Sequence, residues 1–468
     1  MSAASDVAEL VARARAAQAT VDRCDQARAD ELALAAAWAI VEPSRNRALA
    51  EIAVRDTGLG RVEDKIAKNH RKTLGLVRDL AGARTAGIVS EDRERGLIEI
   101  ARPVGVVAAI TPSTNPGATP ANNIVNALKA RNAIVLAPSP KGASTLALLL
   151  SYVHAELDRI RAPRDLVQML PAPVSREHTR ELMRQADLVV ATGSRNNVRA
   201  AYESGTPALG VGAGNVSVIV DETADLADAA GKIARSKTFD HATSCSSENA
   251  VIAVEAIADA LSVELAKAGG ARLTADEAAR LGRAMFDHGA PAPGFVAQPA
   301  PAIAARAGLD REACRRARFL IVDEAGVGPD HPYSGEKLAP VLAFYRAPDF
   351  PAAAALAGRI LDYQGRGHSI GLHTRRPERA TELGLALPVC RVIVNQAHCF
   401  ATGGSFDNAL PFSLSMGCGT WGGNSFSDNL NVRHFLNLTR VVHPLPPEHV
   451  REPTVDELFG DYLRRHPR

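Results

Sequence analysis

The stretch from Val104 to Pro116, VGVVAAITPSTNP, contains a continuous apolar run followed by a polar turn between two prolines. A β-branched run of this length predicts a strand buried on both faces, which is typical of parallel sheets covered by helices. Runs of the same kind alternate with helical patterns along the chain, at residues 133–137, 166–170, 187–191, 216–220, 250–254, 317–322, 341–345, 369–373 and 391–395. This alternation predicts an α/β fold with two parallel sheets.

Length and composition limit the classes of protein to consider. With 468 residues, 46% of them hydrophobic, the chain is long enough for two or three domains. Lysine and arginine (54) nearly balance aspartate and glutamate (52), which argues against a nucleic-acid-binding surface. The apolar runs are much shorter than the roughly 20 residues of a membrane span, and we expect no secretory signal.

The cysteines and histidines also limit the interpretation. None of the six cysteines has a C-x-x-C partner, and the 13 histidines include no H-E-x-x-H pair. In a long chain with a large core, this pattern favours reduced thiols over a disulfide framework. We therefore expect a cytoplasmic protein with no bound metal and no membrane or nucleic-acid partner.

Two polar turns follow buried strands, and each of them begins a helix. Thr111–Asn123 follows the first strand, and Thr192–Asn197 follows the strand at 187–191. Ligands of parallel α/β sheets bind beyond the carboxyl ends of the strands, and free N–H groups at helix starts attract phosphate. In the first turn, an amide made rigid by Pro116 could donate to a developing oxyanion; a plain helix N-cap is the alternative interpretation.

The segment Phe239-Asp-His-Ala-Thr-Ser-Cys-Ser-Ser-Glu-Asn249 places Cys245 on a polar turn between a helix and a strand. A cysteine flanked by serine, threonine and histidine has the access and polar surroundings that a reactive thiolate needs. Cys418, in the glycine-rich stretch Met416–Ser425, is the alternative nucleophile. The remaining cysteines fit better as inert packing residues, as for Cys24, Cys314 and Cys390.

The stretch Gly210-Val-Gly-Ala-Gly-Asn215 has the glycine content of a dinucleotide fingerprint but a different context. That fingerprint follows a strand and opens a helix, whereas this stretch precedes the strand at 216–220. We interpret it as a tight turn with close backbone contacts.

Several of these segments together resemble the aldehyde dehydrogenase superfamily, and within it the CoA-acylating branch. The matching segments are Ala191-Thr-Gly-Ser194, Gly210–Asp221, the Cys245 turn, Glu336-Lys-Leu-Ala-Pro-Val341 and Gly417–Asn424. The resemblance extends from about residue 5 to 445.

The resemblance implies an α/β fold with two Rossmann-like parallel-sheet domains and a small bridging ribbon that serves oligomerisation. Residues 1–240 would form a nucleotide-binding domain, completed by about 425–468 with the ribbon, and residues 241–424 the catalytic cysteine domain. Relatives form homodimers or homotetramers, and segments like Leu97–Ala101 and Asn437–His443 would build the ribbon here.

The resemblance also implies a two-stage reaction with Cys245 as the nucleophile. Its thiolate would add to an aldehyde, hydride transfer to NAD(P) would leave a thioester, and CoA would release the acyl group. The oxyanion donors would be the Cys245 N–H and a side chain of the turn, either Thr114 or Asn115, of which we favour Asn115. Hydrolytic members activate water with a glutamate, but the matching stretch Gly210–Gly214 has no carboxylate, which favours acyl transfer to CoA.

A binding site for NADP or NAD follows from the same resemblance. NAD-preferring members often bind the ribose 2′-hydroxyl with a glutamate, which is replaced here by Pro140, and Lys141 follows. Removal of an anion and addition of a cation favours the 2′-phosphate of NADP. The expected cofactor-binding residues are Ile110, Thr111, Pro112, Ser139, Pro140, Lys141, Thr192, Gly193, Ser194, Gly212 and Glu336.

The expected substrates are CoA and a small aldehyde, with sulfoacetaldehyde favoured and acetaldehyde or propionaldehyde as the alternative. A sulfonate needs cationic or N–H donors, and the candidates are His241, His368 and His398, with Arg366 beside them. Three further functions compete with this interpretation: a hydrolytic aldehyde dehydrogenase, an acyl-phosphate reductase and a non-catalytic binding protein.

Overall fold

The computed structural model describes residues 2–467 and contains sheets of three, five and seven strands, with one further two-stranded pairing. The strands are β1 Gly87–Asp92, β2 Leu97–Pro103, β3 Val106–Thr111, β4 Ala133–Pro138, β5 Val167–Met169, β6 Leu188–Thr192, β7 Ala208–Val211, β8 Val216–Val220, β9 Glu248–Val254, β10 Gly270–Arg272, β11 Phe286–Asp287, β12 Ala290–Pro291, β13 Phe319–Asp323, β14 Val341–Ala347, β15 Ile370–His373, β16 Val392–Val394 and β17 Leu436–Val442.

The helices are α1 Ala3–Val21, α2 Gln26–Val41, α3 Pro43–Thr57, α4 Val62–Leu80, α5 Ala118–Lys129, α6 Ala143–Arg159, α7 Arg176–Gln185, α8 Arg195–Tyr202, α9 Leu226–Thr238, α10 Glu255–Lys267, α11 Ala275–Met285, α12 Ala300–Arg306, α13 Glu312–Arg315, α14 Phe350–Tyr363, α15 Glu378–Ala386, α16 His398–Ala401 and α17 Val455–Arg465. Among residues 2–467, no helix combines the length and the low polarity that a membrane crossing needs. The predicted α/β fold class is confirmed.

The five-stranded sheet is parallel, with the strand order β5-β4-β3-β6-β7. Every residue of β3 and β4 is buried, and apolar side chains of α2, α5 and α6 belong to the same core. The chain leaves β3 in one direction to form β4 and β5, and returns on the other side of β3 to form β6. The carboxyl ends of β3 and β6 therefore form the reversal point at which such sheets bind ligands.

The seven-stranded sheet is also parallel, with the order β10-β13-β14-β9-β8-β15-β16. Its two faces belong to separate apolar clusters: Ile219 and Ile252 point into one, and Val218 and Val251 into the other. This division follows from the alternation of side chains along each strand.

The change from one sheet to the other occurs earlier in the chain than we predicted. The strand β8 lies before residue 240, in the range predicted for the nucleotide-binding domain, but pairs with β9 and β15 of the seven-stranded sheet. The four residues Gly212–Asn215 carry the chain directly from β7 to β8. The predicted turn is shorter than expected, because Gly210 and Val211 belong to β7.

The three-stranded sheet is antiparallel and has the order β1-β2-β17. Its strands β2 and β17 are antiparallel: Pro103 pairs with Leu436 at one end and Leu97 with Val442 at the other. The two segments predicted for the ribbon therefore pair with each other. The strand β1 was not predicted. Most side chains of β17 are exposed within a single chain.

Val104 and Gly105, the residues just before β3, are held by the side chain of Asn132. The N–H groups of Val104 and Gly105 donate to Asn132 Oδ1 at 2.7 and 3.0 Å, and Asn132 Nδ2 donates to the Phe435 carbonyl oxygen at 2.8 Å. The apolar run predicted a strand that starts at Val104. The strand β3 begins instead at Val106, because the two preceding N–H groups bind Asn132. One buried amide thus links the start of β3 to the segment before β17.

We predict that Asn132→Ala lowers the free energy of unfolding by about 2–4 kcal/mol, because it leaves two partly buried N–H groups and the buried carbonyl oxygen of Phe435 unpaired. Urea denaturation followed by circular dichroism measures the change. The control is Asn437→Ala, at an exposed position of β17, which we expect to cost less than about 0.5 kcal/mol. Equal stability of the two variants would contradict the assignment.

Candidate active site

Cys245 lies in the loop between α9 and β9, as the sequence predicts. The preceding residues Asp240, His241 and Ala242 have left-handed backbone conformations, with φ of 50°, 50° and 59°. Such a run is costly for residues other than glycine and bends the chain sharply after α9. After this bend Cys245 is partly exposed, with serines on both sides.

The connection between the two sheets packs against the Cys245 turn. A Cβ atom on Gly214 would lie 2.1 Å from the Cys245 carbonyl oxygen, so this position admits no side chain. A Cβ atom on Gly212 would lie 3.3 Å from the sulfur of Cys418. Cys418 is fully buried and its backbone N–H is hydrogen-bonded. The alternative nucleophile is thus a packing residue, and Cys245 is the more accessible thiol of the two.

A buried lysine fixes the orientation of the Asn115 side chain. Lys68 Nζ donates to Asn115 Oδ1 at 2.7 Å and to Asp240 Oδ2 at 2.6 Å. With its oxygen bound to Lys68, Asn115 keeps its NH₂ group as the free donor. Thr114, the alternative, accepts from Lys65 Nζ at 3.2 Å through its carbonyl oxygen. This geometry supports Asn115 as the side-chain donor to an oxyanion.

Asp240 is the centre of this network. Its carboxylate accepts from Lys65 at 3.1 Å as well as from Lys68. The hydroxyl of Thr243 and the backbone N–H of Arg61 also donate to it, at 2.8 Å each. Burial alone would raise the pKa of Asp240, but the two ammonium groups hold it at about 2. One ionised carboxylate therefore joins α4, the turn after β3 and the Cys245 turn.

The lysines of α4 contact the residues around the candidate site, and the sequence-based prediction missed them. Lys65, Lys68 and Lys72 are spaced by three and four residues, which places them on one face of the helix, and all three are buried. Lys72 donates to the carbonyl oxygens of Gly403 and Gly404 at 2.6 and 3.3 Å. Lysines on an inward face require anions or carbonyl groups opposite them, and this spacing is the signal that could have identified them.

The expected cofactor-binding residues meet at the carboxyl edge of the five-stranded sheet. The strand β3 ends at Thr111 beside the end of β4, and the N–H of Ser139 donates to the Thr111 carbonyl oxygen at 3.1 Å. On the other side β6 ends at Thr192, and Ser194 caps α8. This edge contains nine of the predicted residues: Ile110, Thr111, Pro112, Ser139, Pro140, Lys141, Thr192, Gly193 and Ser194.

A cleft of about 580 Å³ lies between α8, the end of β7, the chain after α14 and the glycine-rich loop. We call it the Gly212 cleft, because that predicted residue lines it. Other lining residues include Arg195, Tyr202, Gln364, Arg366 and Trp421. The cleft therefore adjoins both the start of α8 and the connection that packs against Cys245.

Glu336 is held next to the Gly212 cleft, because its N–H donates to Gln364 Oε1 at 3.1 Å. Burial of its carboxyl group raises the pKa of Glu336 to about 8, against the attraction of Arg195 and Lys237. Its Oε1 atom is buried and has no hydrogen-bond partner within residues 2–467. A bound hydroxyl group would supply that partner, so Glu336 fits the predicted contact with a ribose.

The pKa of the Cys245 thiol is strongly raised. Partial burial is the largest cause, followed by the nearby Glu336 carboxyl and Cys418, and together they raise the pKa of the Cys245 thiol to about 12. The thiolate therefore needs help from bound ligands or from oxyanion donors before it can act as a nucleophile near neutral pH.

The three predicted histidines differ in their surroundings. His241 is partly exposed, whereas His368 and His398 are buried. Nδ1 of His368 pairs with Ser369 Oγ at 2.7 Å, and Nδ1 of His398 lies 2.9 Å from the Ser246 carbonyl oxygen. Burial lowers the pKa of His368 to about 3 and that of His398 to about 4, so both rings are neutral at pH 7. Their contact with a substrate stays a prediction.

Comparison with known proteins identifies the family. Residues 1–280 match the family model for the aldehyde dehydrogenase family. The sulfoacetaldehyde dehydrogenase (acylating) of Cupriavidus necator is 61% identical over 463 residues, which are 99% of this chain and 93% of that protein. The chain belongs to the aldehyde dehydrogenase family.

Two further relatives are similar over their whole length. The succinate-semialdehyde dehydrogenase (acetylating) of Clostridium kluyveri is 35% identical, across 98% of this aldehyde dehydrogenase and 100% of the relative. The crystal structure of an acetylating aldehyde dehydrogenase from Geobacillus thermoglucosidasius superposes with a TM-score of 0.91 at 35% identity, covering 97% of this chain and 98% of that one. The predicted resemblance to the acylating branch and the predicted fold are confirmed.

We predict that Lys68 acts on the reaction of this aldehyde dehydrogenase through Asn115. Asn115→Ala should lower kcat by about 100- to 1,000-fold, as loss of an oxyanion donor does, and Lys68→Met by about 10- to 100-fold. The double variant should lose clearly less than the product of the two single losses, because the part of the Lys68 effect that acts through the amide is already gone. Steady-state kinetics with saturating substrates measure all three.

The control is Lys65→Met, which removes the other ammonium group bound to Asp240 but no contact to the Asn115 side chain. It should cost clearly less than Lys68→Met. If the losses of Lys68→Met and Asn115→Ala multiply in the double variant, Lys68 does not work by orienting Asn115.

We also predict that Glu336→Gln makes Cys245 more reactive in the free enzyme. Removal of the carboxylate charge should lower the pKa of the thiol by about one pH unit, because a like charge no longer opposes the thiolate. The pH dependence of iodoacetamide alkylation at Cys245 measures this shift. Glu336→Asp, which keeps the charge, is the control, and an unchanged or higher pKa in Glu336→Gln would refute the prediction.

Proposed function

We propose that this aldehyde dehydrogenase oxidises sulfoacetaldehyde to sulfoacetyl-CoA with NADP as the hydride acceptor. The observation that carries the acyl transfer is the connection packed against Cys245: Gly212, Ala213 and Gly214 carry no carboxylate, and Gly214 admits no side chain at all. Without a general base at this place, water attacks a thioester slowly, whereas the thiol of CoA is a stronger nucleophile.

The carboxyl group of Glu336 is a weak substitute for such a base. Its raised pKa of about 8 keeps most of it protonated at pH 7. A group in that state donates a hydrogen bond more readily than it removes a proton from water. This supports a thioester at Cys245 that persists until CoA arrives.

The reaction starts when the Cys245 thiolate adds to the aldehyde carbon and forms a thiohemiacetal. The NH₂ group of Asn115 and the backbone N–H of Cys245 donate to its oxyanion, and Lys68 keeps that amide in place. The nicotinamide ring, when bound, accepts the hydride. Cys245 then carries a thioester; the CoA sulfur adds to its carbonyl carbon, and the C–S bond to Cys245 breaks to release acyl-CoA.

The residues at the carboxyl edge of the five-stranded sheet suit a dinucleotide. The buried Ser139 Oγ has no partner within the described residues, and Lys141 is exposed beside it. The unpaired Glu336 Oε1 lies next to the Gly212 cleft, where a ribose hydroxyl would meet it. These residues would hold NADP, with Lys141 on the 2′-phosphate.

The choice of sulfoacetaldehyde rests on the relative that is 61% identical and is named sulfoacetaldehyde dehydrogenase (acylating); the chain covers almost all of that relative.

We further propose that the five-stranded sheet belongs to the nucleotide-binding domain and the seven-stranded sheet to the catalytic domain. The exposed strand β17 supports assembly into a homodimer or homotetramer. All six cysteines lie in the described part of the chain as free thiols, the state that the cytoplasm maintains, which supports a cytoplasmic location.

We predict that Lys141→Glu changes the cofactor preference. The substitution places a carboxylate where a 2′-phosphate would bind, so kcat/KM for NADP should fall by about tenfold or more while that for NAD stays or rises. Initial rates with each cofactor at saturating aldehyde and CoA give the ratio. The control is Lys267→Glu, which changes an exposed lysine on α10. An unchanged ratio of kcat/KM for NADP to that for NAD in Lys141→Glu would show that Lys141 does not bind the 2′-phosphate.

The direct test of the function is the formation of reduced nicotinamide from sulfoacetaldehyde with and without CoA. We expect sustained turnover only with CoA, and sulfoacetyl-CoA as the product by mass spectrometry. Equal turnover without CoA would show hydrolysis and contradict the proposal. Activity with acetaldehyde but not with sulfoacetaldehyde would keep the acyl transfer and reject the substrate.

A further inference from the structure

Residues 436–467 form an exposed arm that consists of β17, a connecting segment and α17. This arm contains ten of the eighteen large hydrophobic residues that are exposed in the described chain. They are Leu438, Val441, Val442, Leu445, Val450, Val455, Leu458, Phe459, Tyr462 and Leu463. A folded protein rarely exposes so many apolar side chains in one segment, so we expect a partner to cover the arm.

The helix α17 is amphipathic and has a defined start. Thr454 and Glu457 form a capping box at its first turn. Its apolar residues recur at intervals of three and four from Val455 to Leu463, which places them on one face. All residues of α17 except Gly460 are exposed. A helix of this length is marginal in water by itself, so packing of its apolar face would stabilise it.

An apolar groove that suits such a helix lies between α2 and α4. It has a volume of about 130 Å³ and is lined by Asp30, Ala33, Leu34, Val77, Leu80, Ala81 and Lys129. Two further exposed residues continue this surface by one helical turn, because Trp38 follows Leu34 on α2 and Leu74 precedes Val77 on α4. We call this surface the α2/α4 groove.

The charges of the two surfaces are paired within each surface. In the α2/α4 groove, Asp30 and Lys129 form an ion pair with each other. In the arm, Arg464 donates to Asp461 at 2.7 Å, and Arg451 pairs with Glu457. Contact between the helix and the groove would therefore bury apolar side chains and leave these ion pairs intact, which avoids the cost of a buried unpaired charge.

The α2/α4 groove adjoins the base of the three-stranded sheet, from which the arm of each copy extends. The carbonyl oxygen of Lys129 accepts from Thr85 Oγ1 at 2.7 Å, two residues before β1. Arg131, two residues after Lys129, donates to the carbonyl oxygen of Ala101 in β2 at 2.9 Å. A second copy that meets this sheet would bring its own arm close to the groove. Residues 443–454, four of them proline, connect β17 to α17 and span up to about 35 Å when extended.

We propose that α17 of one copy packs into the α2/α4 groove of a second copy, an inference that rests on the proposed assembly into a homo-oligomer. The exchange is reciprocal, since each copy gives one helix and receives one, and two copies close the assembly with two-fold symmetry. The apolar face of α17 would bury about 500 Å² per helix. The two helices with their grooves then reach roughly the 1,200–2,000 Å² of a stable interface.

The contact would also act on the helix that supports the candidate active site. The outer face of α4 forms one wall of the groove, and the inner face of the same helix carries Lys65 and Lys68. These lysines bind Asp240, and Lys68 also binds Asn115. A helix of the second copy on the outer face would restrain α4 and thus the groups that α4 holds.

The test joins the two surfaces by a cross-link between copies. One chain carries Leu34→Cys in the groove and the other carries Phe459→Cys on α17; the two are co-expressed and treated with a short bismaleimide. We expect a species of twice the chain mass in which mass spectrometry finds the peptides of positions 34 and 459 joined. The matched control uses Val263→Cys, at an exposed apolar position of α10, in place of Leu34→Cys and should give about tenfold less of the joined species.

A second measurement does not depend on added thiols. Leu458→Glu combined with Tyr462→Glu removes the apolar face of α17 and changes no residue of the sheets. The amides of α2 around Leu34 should exchange hydrogen about tenfold faster in this variant, and sedimentation equilibrium should show association at least about tenfold weaker. Leu385→Glu, at an exposed position of α15, is the control and should leave both values unchanged.

The outcomes separate this inference from the proposed assembly. If the protein is a homo-oligomer but position 459 reacts with position 34 no more than with position 263, α17 does not occupy the groove and the assembly stands. If positions 34 and 459 are joined only when both substitutions are in one chain, the helix folds onto its own copy and the inference is wrong. A monomer at all concentrations would contradict both proposals.

Discussion

The buried ionic contact of Asp240 with Lys65 and Lys68 is the interaction on which the rest of the site depends. A carboxylate without solvent is stable only if cations and hydrogen-bond donors surround it, and Asp240 has two ammonium groups, a hydroxyl and a backbone N–H. Removal of either side would leave a buried charge unpaired. The contact therefore holds α4 against the chain that leads to Cys245.

The same contact explains the unusual backbone before Cys245. Asp240 begins three residues with positive φ, and its own N–H donates to Asp64 Oδ2 at 2.9 Å. Bonds at both the main chain and the side chain of Asp240 offset the cost of this conformation. The three residues with positive φ directly precede the turn in which Cys245 packs against Gly214, in the connection between the two sheets.

Much of the fold could be predicted from local pattern, because buried parallel strands leave long apolar runs. The strand Val216–Val220 agrees with its predicted bounds. Short strands with little apolar signal, such as β1, β7 and β10, were missed. The sheet to which β8 belongs was also mistaken, since pairing partners depend on contacts far apart in sequence and the pattern of one strand does not contain them.

Contacts between residues far apart in sequence also limited the prediction of the site. Cys245 and the turn containing Asn115 could be proposed from the sequence, because each has a local signature of polar residues at the end of a buried element. Lys68 was missed because its partners, Asn115 and Asp240, are 47 and 172 residues away in the chain.

The proposed reaction requires that Cys245 carries a thioester until CoA arrives. The most direct measurement incubates the enzyme with sulfoacetaldehyde and NADP in the absence of CoA, quenches with acid and examines the peptides by mass spectrometry. The account predicts a sulfoacetyl group on Cys245 that disappears when CoA is added before the quench. An unmodified Cys245 together with accumulating free acid, or an acyl group on Cys418, would contradict it.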